Sequence, residues 1–447
     1  MTGERLSREL GLTSAVMITV GSVIGSGIFL KPLAISQALP SVGWIYACWV
    51  VLGIVCLFGA FAYAELGTMF PEAGGAYAFL REGWGRLPAF LYGWCLLLVI
   101  NTGTLAGLAV AFARGLSGLV EMSEWANYAV AIGMILLLAA VNHFGVGWGA
   151  ALQNLTTFTK LAALAAIVVG GYLVVGAPSP THAEPAVTSA MPDVKGLIAA
   201  SVAIFWAYEG WYQLPFNAAE LKNPHRDLPR GLIWGMFILV AAYLAVNAVY
   251  LRLVPLAEMR TLSGDMDVPT TAVTRAFGSS AGDALGLLIC VSVFGSANPN
   301  LLSSPRAFLA MAEDGLMPKI LTGIHARWRT PTVAIWFQAL WAIVLVVVLK
   351  TFKDITDYVV FASLIFYALV VAAVYRLRLQ RPQTPRPYRC FGYPWSPAIF
   401  ILVVAFVDVW TLMEEDMRSN ALIGLGILAA GLPVYFVFGR NGARSGG

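Results

Sequence analysis

Apolar stretches of about 20 residues recur from one end of this chain to the other, each long enough to cross a hydrocarbon core about 30 Å thick. Hydrophobic residues fill 59% of the 447 positions and charged residues only 12%, against roughly 25% charged in an average soluble domain. A soluble fold of that make-up would leave large apolar patches in water, so the chain is expected to be an integral membrane protein. Only helices or a closed barrel satisfy their backbone hydrogen bonds in lipid. Barrel strands alternate apolar and polar residues, and runs such as WAIVLVVVL (Trp341 to Leu349) and FILVVAF (Phe400 to Phe406) do not. The expected class is all-α.

Turn and charge signals divide the hydropathy into twelve expected transmembrane helices, near 12–36, 43–69, 88–117, 126–146, 152–176, 195–217, 231–253, 283–311, 332–349, 355–377, 396–413 and 420–438. With the N-terminus inside, the inner loops and tails hold seventeen Lys and Arg residues and the outer loops eight. That asymmetry follows the positive-inside rule and predicts a multi-pass protein of the cytoplasmic membrane with both termini cytosolic. The opening MTGERLSREL mixes Glu4 and Glu9 with Arg5 and Arg8 and has no small-residue cleavage site, so it reads as a cytosolic lead-in. The net charge of +4 is spread over the loops, which argues for orientation and against a nucleic-acid partner. Cys48, Cys56, Cys95 and Cys290 fall inside apolar segments and Cys390 in an Arg-rich loop, with no CxxC pattern. His143 and the other histidines show no ligand spacing, so neither a metal nor a cofactor is expected.

The first span contains VGSVIGSGIFLKP, Val20 to Pro32. Glycine costs about 1 kcal/mol per helix-interior position relative to alanine, yet Gly21, Gly25 and Gly27 fall within one and a half turns. A phosphate-cradling loop would need a preceding strand; here the setting is a membrane span, and Leu30 stands where the last glycine of GxGxxG would be. Gly21 and Gly25 have the GxxxG spacing of close helix packing, which leaves Gly27 and the intervening Ser26 unexplained. An interruption of the helix accounts for all of them. Irregular backbone at membrane depth is tolerated where it lines a cavity, and a helix restarting after the break presents free N–H groups to an anion.

The sixth span repeats the oddity, since FWAYEGWYQLPF (Phe205 to Phe216) sets Glu209 and Gly210 near its middle with Pro215 after them. The Pro-, Ala-, Ser- and Thr-rich stretch GAPSPTHAEPAVTSAMPD (Gly176 to Asp193) reads as a link. It divides the chain into a first half, 1–176 with spans 1 to 5, and a second, 194–378 with spans 6 to 10. Spans 11 and 12 follow at 394–440. An odd number of spans per half makes the halves inverted, and interrupted segments at corresponding places point to a transport site at the bilayer midplane.

At this point the residues resemble a family. GSVIGSGIF is similar to the first-span signature of amino-acid transporters of the amino acid-polyamine-organocation superfamily. Further matches are AELGTMFPEAGGAYAFLREGWGRLPAFLYGW (Ala64 to Trp94), QNLTTFTKL (Gln153 to Leu161), FWAYEGW followed by AAELKNPHRDLPRG (Ala218 to Gly231), and FGSANPNLLSSPRAFLAMAEDGLMP (Phe294 to Pro318). The pairing of AYEGW with QNLTTFTK resembles the L-type amino acid transporter branch and its bacterial relatives. The resemblance implies a LeuT-like fold, a 5+5 inverted repeat with discontinuous helices 1 and 6.

It also implies roles. Backbone amides around Ser26 and Gly27 would hold a substrate carboxylate, with Gly25 keeping the approach open. The substrate ammonium would meet carbonyls near Ile24 and at Phe205, Trp206 or Ala207. Trp206 would be an aromatic gate, its alternative being a packing tryptophan. Glu209, a carboxylate near the bilayer centre, costs several kcal/mol unless paired or hydrated; it contacts a cationic side chain, pairs with a protein cation, or stays protonated. Lys160 either snorkels to the interface or stands where sodium-coupled relatives hold a cation, with Ser303 and Ser304 as hydroxyl partners on span 8. Glu65 and Arg306 are expected in charge networks near the inner ends.

The chain also departs from that pattern. Tyr212 stands at a substrate-binding position where many L-type members carry a smaller polar residue. Ala219-Glu220 replaces a pair of glutamates, and Asn298-Pro299-Asn300 replaces an Asn-Gly pattern. The outer loop GLSGLVEMSEWAN lacks the cysteine that animal L-type transporters use for a disulfide to a glycoprotein partner, so this chain is expected to act without such an ancillary subunit. The expected activity is secondary active, sodium-independent amino-acid exchange by alternating access, with proton-coupled symport as the alternative. Neither the rings of a channel pore nor the nucleophile and base of an enzyme is present, so no catalytic residue is assigned.

Overall fold

The computed structural model describes residues 6–173, 191–264, 267–348 and 352–442. The expected link at Gly176 to Asp193 lies outside these residues up to position 190. Within them the chain forms α1 (Leu12–Val23), α2 (Gly27–Leu30), α3 (Pro32–Ala38), α4 (Val42–Met69), α5 (Ala76–Trp84), α6 (Arg86–Cys95), α7 (Asn101–Ser117), α8 (Glu124–His143) and α9 (Val146–Leu173). There follow α10 (Val194–Tyr208), α11 (Pro224–Leu253), α12 (Leu256–Met259), α13 (Asp267–Phe277), α14 (Ser279–Leu302), α15 (Pro305–Glu313), α16 (Thr332–Val348), α17 (Phe352–Gln380), α18 (Trp395–Met413) and α19 (Glu415–Gly442). A π-helical turn, Leu96–Ile100, joins α6 to α7, and a 3-10 segment, Trp211–Glu220, follows α10.

Among the described residues, ten segments of 19 to 35 residues are long and apolar enough to cross a membrane. The expected spans at 195–217 and 332–349 fall on shorter helices, α10 with 15 residues and α16 with 17. In α10 the cause is local, because the helix stops at Glu209 and Gly210. The apolar surface has two destinations. Helices near the centre bury half or more of their residues, as in α1, where Ala15, Ile18, Thr19, Val20, Gly21 and Val23 are all buried. Peripheral helices such as α8, α9 and α19 leave large apolar side chains outward, among them Leu137, Phe158 and Phe436.

Packing centres on the two interrupted segments. α1 lies against α9, α11 and α14, while α10 lies against α2, α3, α4, α17 and α18. Close approach needs small residues at the crossings. A Cβ on Gly21 would sit 1.9 Å from Thr157 Oγ1, and one on Gly235 2.6 Å from Thr19 Cγ2. The segment before α1 is tied down as well: Leu10 pairs with Leu221 in an isolated parallel bridge. In it, Leu10 N–H donates to the Glu220 carbonyl at 3.0 Å and Lys222 N–H to the Leu10 carbonyl at 2.8 Å.

Candidate functional site

α1 stops where its glycines begin. Ile24 leaves the helical region (φ −68°, ψ 88°) while its N–H still donates to the Val20 carbonyl, and the chain re-enters helix at Gly27. The next bonds are from Phe29 and Leu30 N–H to the Ser26 carbonyl, so among the described residues the amides of Gly25, Ser26 and Gly27 have no backbone acceptor. The carbonyls are treated differently. Gly21 O accepts from Lys160 Nζ at 3.0 Å, Val23 O from the Tyr243 hydroxyl at 3.1 Å, and Ile24 O from Ser296 Oγ at 2.7 Å. The interruption therefore offers bare donors and occupied acceptors.

The second interruption is built by one residue pair. Glu209 turns extended (ψ 136°) and Gly210 takes φ 113°, the left-handed region where a side chain is disfavoured. A Cβ there would also lie 2.8 Å from the Ser22 carbonyl oxygen. Glu209 N–H donates to Trp206 O at 3.1 Å, the tighter 3-10 pattern, which releases the Phe205 carbonyl from the helical ladder. The Ala207 carbonyl accepts from the Tyr243 hydroxyl at 2.9 Å. That hydroxyl thus stands between carbonyls of both interruptions.

The two interruptions touch. Ser22 Oγ donates to Gly210 O at 2.9 Å, and a Cβ on Gly27 would lie 2.4 Å from Ala207 Cα. Between them is a cavity of about 30 Å³ lined by Gly25, Ser26, Gly27, Trp206, Glu209 and Tyr212, with Thr104, Gln213, Ser296 and Asn300 among its other walls. That volume suits roughly one water, so admitting anything larger requires the walls to move. Trp206 Nε1 donates to Ser26 Oγ at 3.4 Å across it. Of the residues expected at the site, Ile24, Phe205 and Ala207 are buried but do not line the cavity.

Both deep charges are enclosed. Glu209 Oε1 accepts from the Tyr367 hydroxyl at 2.6 Å and from Ser363 Oγ at 3.3 Å, and no ion pair to a described residue accompanies these bonds. The Tyr212 hydroxyl donates to Asn101 Oδ1 at 2.7 Å. Lys160 does not snorkel: it is 1% exposed. Its ammonium bridges α9, α1 and α14 by donating to Gly21 O and, at 2.8 Å, to Ser296 Oγ.

This corrects the expected partners Ser303 and Ser304. They lie about two turns beyond Ser296, at the junction where α14 ends at Leu302 and α15 starts with Pro305. Ser303 Oγ donates to Asn217 Oδ1 at 2.6 Å, and Ser304 Oγ is bonded to the Asn300 carbonyl and to Gln338 Oε1. The signal for the right serine was present. Ser292, Ser296, Asn300 and Ser304 recur every four residues, which puts them on one face of a helix.

A family model described as amino acid permease matches residues 10–432, almost the whole chain. The chain belongs to the amino acid permease family. It is 33% identical to the serine/threonine exchanger SteT of Bacillus subtilis over 433 residues, covering 96% of this chain and 97% of that one. It is 32% identical to the human large neutral amino acids transporter small subunit 2, covering 97% of this chain and 81% of the relative. With the human cystine/glutamate transporter it shares 29% over 97% of this chain and 86% of the relative.

In this member of the amino acid permease family a polar path connects Tyr212 to Lys160, and sequence reasoning missed most of it. Asn101 Nδ2 donates to Gln213 Oε1 at 3.2 Å, Gln213 Nε2 to Asn300 Oδ1 at 3.3 Å, and Asn300 Nδ2 to Ser296 O at 3.2 Å. Glu65 and Arg306 sit in two separate networks. The buried Glu65 accepts hydrogen bonds from Arg378 and from the Cys390 N–H, each at 2.6 Å, and forms an ion pair with Arg386 at 3.3 Å. Arg306 grips Glu220 with two nitrogens, at 2.9 and 2.7 Å, both side chains being almost fully enclosed. Breaking such a buried pair from one side costs about 3–5 kcal/mol. Outside the membrane-spanning helices, burial pushes the Cys390 thiol up to about 11.

Proposed function

We propose that this chain exchanges amino acids across the cytoplasmic membrane without sodium, by alternating access. The observation that carries the reading is the meeting of the two interruptions, where the unpaired amides of Gly25, Ser26 and Gly27 border a cavity walled by Trp206, and α10 releases the carbonyl of Phe205, the residue before that tryptophan, from its helical ladder. A zwitterion needs donors at one end and acceptors at the other, and these main-chain groups supply both. Gly25, Ser26 and Gly27 would take the carboxylate. The released Phe205 carbonyl would take the ammonium, joined by the carbonyls of Trp206, Ala207 and Ile24 through the second lone pair of each, since each already accepts a hydrogen bond. Trp206 would cover the ligand, and Glu209 and Tyr212 would meet its side chain. The names of relatives that exchange amino acids support the same reading.

The architecture we infer has twelve spans in a LeuT-like inverted repeat, 1–176 and 194–378, with 394–440 appended and both termini cytosolic. The fixed ammonium of Lys160, held between α1 and α14, would replace a coupling cation. The missing cysteine in the outer loop supports action without a disulfide-linked subunit. Proton symport is the second reading, favoured by the Glu209 carboxylate, which among the described residues is held by the hydroxyls of Tyr367 and Ser363. Uptake of labelled amino acids into proteoliposomes tests both. Exchange requires preloaded vesicles; fast uptake into empty vesicles that rises with an inward proton gradient would overturn it.

A further inference from the structure

Away from the residues of the two interruptions, a groove of about 460 Å³ lies between the short 3-10 turn Lys319–Thr322 and α16, which one loop joins. Its walls are Ile320, Leu321, Val333, Trp336, Phe337 and Leu340, with His143 at one end. Ile320 is 70% and Leu340 59% exposed, so the groove opens outward, where acyl chains lie.

The rim has the opposite character. His143 Nδ1 accepts from Trp336 Nε1 at 3.2 Å, and His325 Nδ1 accepts from the backbone N–H groups of Arg327 and Trp328 at 3.2 Å. A ring that accepts at Nδ1 carries its proton on Nε2, so each imidazole has a donor to offer, and their centroids are 5.3 Å apart. Arg327 stacks over Trp328 at 4.5 Å and has no carboxylate partner among the described residues. The loop is held in one shape. Arg329 takes φ 53°, uncommon for a non-glycine residue. Around it, His325 N–H donates to Thr330 O, Arg329 N–H to His325 O and Thr330 Oγ1 to His143 O, each at 2.9 Å.

Imidazole donors and a guanidinium suit a phosphate diester, and the groove beside them suits a hydrocarbon chain. A phospholipid carries both, and His143, which lines the groove, is the ring that stands against His325. We propose that this groove binds an anionic phospholipid, its phosphate among His143, His325 and Arg327 and an acyl chain along α16. Phosphatidylcholine could fill the groove, but its trimethylammonium would face Arg327. Basic clusters beside membrane helices recognise anionic headgroups on these grounds.

The test uses the full-length protein purified in detergent, with melting temperature and native mass spectrometry as readouts, so it does not depend on transport. Dioleoyl phosphatidylglycerol is expected to raise the melting temperature by about 3 °C and to stay bound, as a ligand specific to the folded state does. Dioleoyl phosphatidylcholine and inorganic phosphate should do neither. The double variant His325→Gln, Arg327→Gln should lose the shift, and Val333→Trp, which fills the groove and leaves the rim intact, should lose it too. Arg381→Gln, in a different basic loop, should keep it. An equal shift with phosphatidylcholine, a shift reproduced by inorganic phosphate, or a shift that survives both groove and rim variants would overturn the proposal. The unliganded melting temperature of each variant reports whether it folds.

Discussion

The two interruptions solve one backbone problem by different chemistry. The first is made of Gly25, Ser26 and Gly27, and everything it offers a ligand belongs to the main chain. The second is made of Glu209 and Gly210, and it adds a carboxylate held by Tyr367 and Ser363. The deep charges divide likewise. Lys160 fastens the first interruption from behind, whereas Glu209 is part of the second and lines the cavity. Backbone groups recognise what every amino acid shares; a side chain can distinguish one from another. On the proposed reading, the first interruption would be the general half of the site and the second the selective half.

Substitutions can break that division. Gly27→Ala would set a methyl 2.4 Å from Ala207 Cα, part of a backbone that cannot rotate away, and exchange should fall roughly a hundredfold or more for every substrate, ~2.8 kcal/mol at 1.4 per tenfold. Gly25→Ala meets the movable Ser296 Oγ at 2.8 Å and should cost nearer tenfold; equal losses in proteoliposome exchange would deny the special contact at Gly27. Lys160→Met keeps the stem but not the ammonium. Exchange should drop at least about tenfold, and the melting temperature is measured alongside, because the Gly21 carbonyl and Ser296 Oγ lose their ammonium donor at about 1–3 kcal/mol per buried group left unsatisfied.

Glu209→Gln sharpens the comparison from the other side. Lysine and arginine exchange should weaken about tenfold relative to alanine, ~1.4 kcal/mol of selective binding; an equal loss for alanine would move Glu209 from recognition to structure. Ser22→Ala has the smallest expected effect. It removes one hydrogen bond between the interruptions, that to Gly210 O, worth about 1 kcal/mol, and should slow exchange a few fold without changing the order of substrates.

The interruptions themselves were legible in the sequence, because glycine in a membrane helix and a carboxylate at its centre are both costly and need a reason. Lys160 was legible for the same cause. Its partner was not: the distance from Lys160 to Ser296 or to Ser304 depends on the register of α9 against α14, elements 136 residues apart at the contact. Local pattern records which face of α14 is polar, and leaves open which turn of it meets the lysine. The hydroxyls on Glu209 come from α17, and Tyr243 from α11, for which the same applies.

The bridge between Leu10 and Leu221 has a mechanical consequence. Two backbone hydrogen bonds clasp the residues entering the first interrupted segment to those leaving the second, next to Glu220, which Arg306 grips. The halves of the two segments on that side are thereby geared as one lever, so α1 cannot swing there without drawing the Trp211–Glu220 segment and its salt bridge along with it.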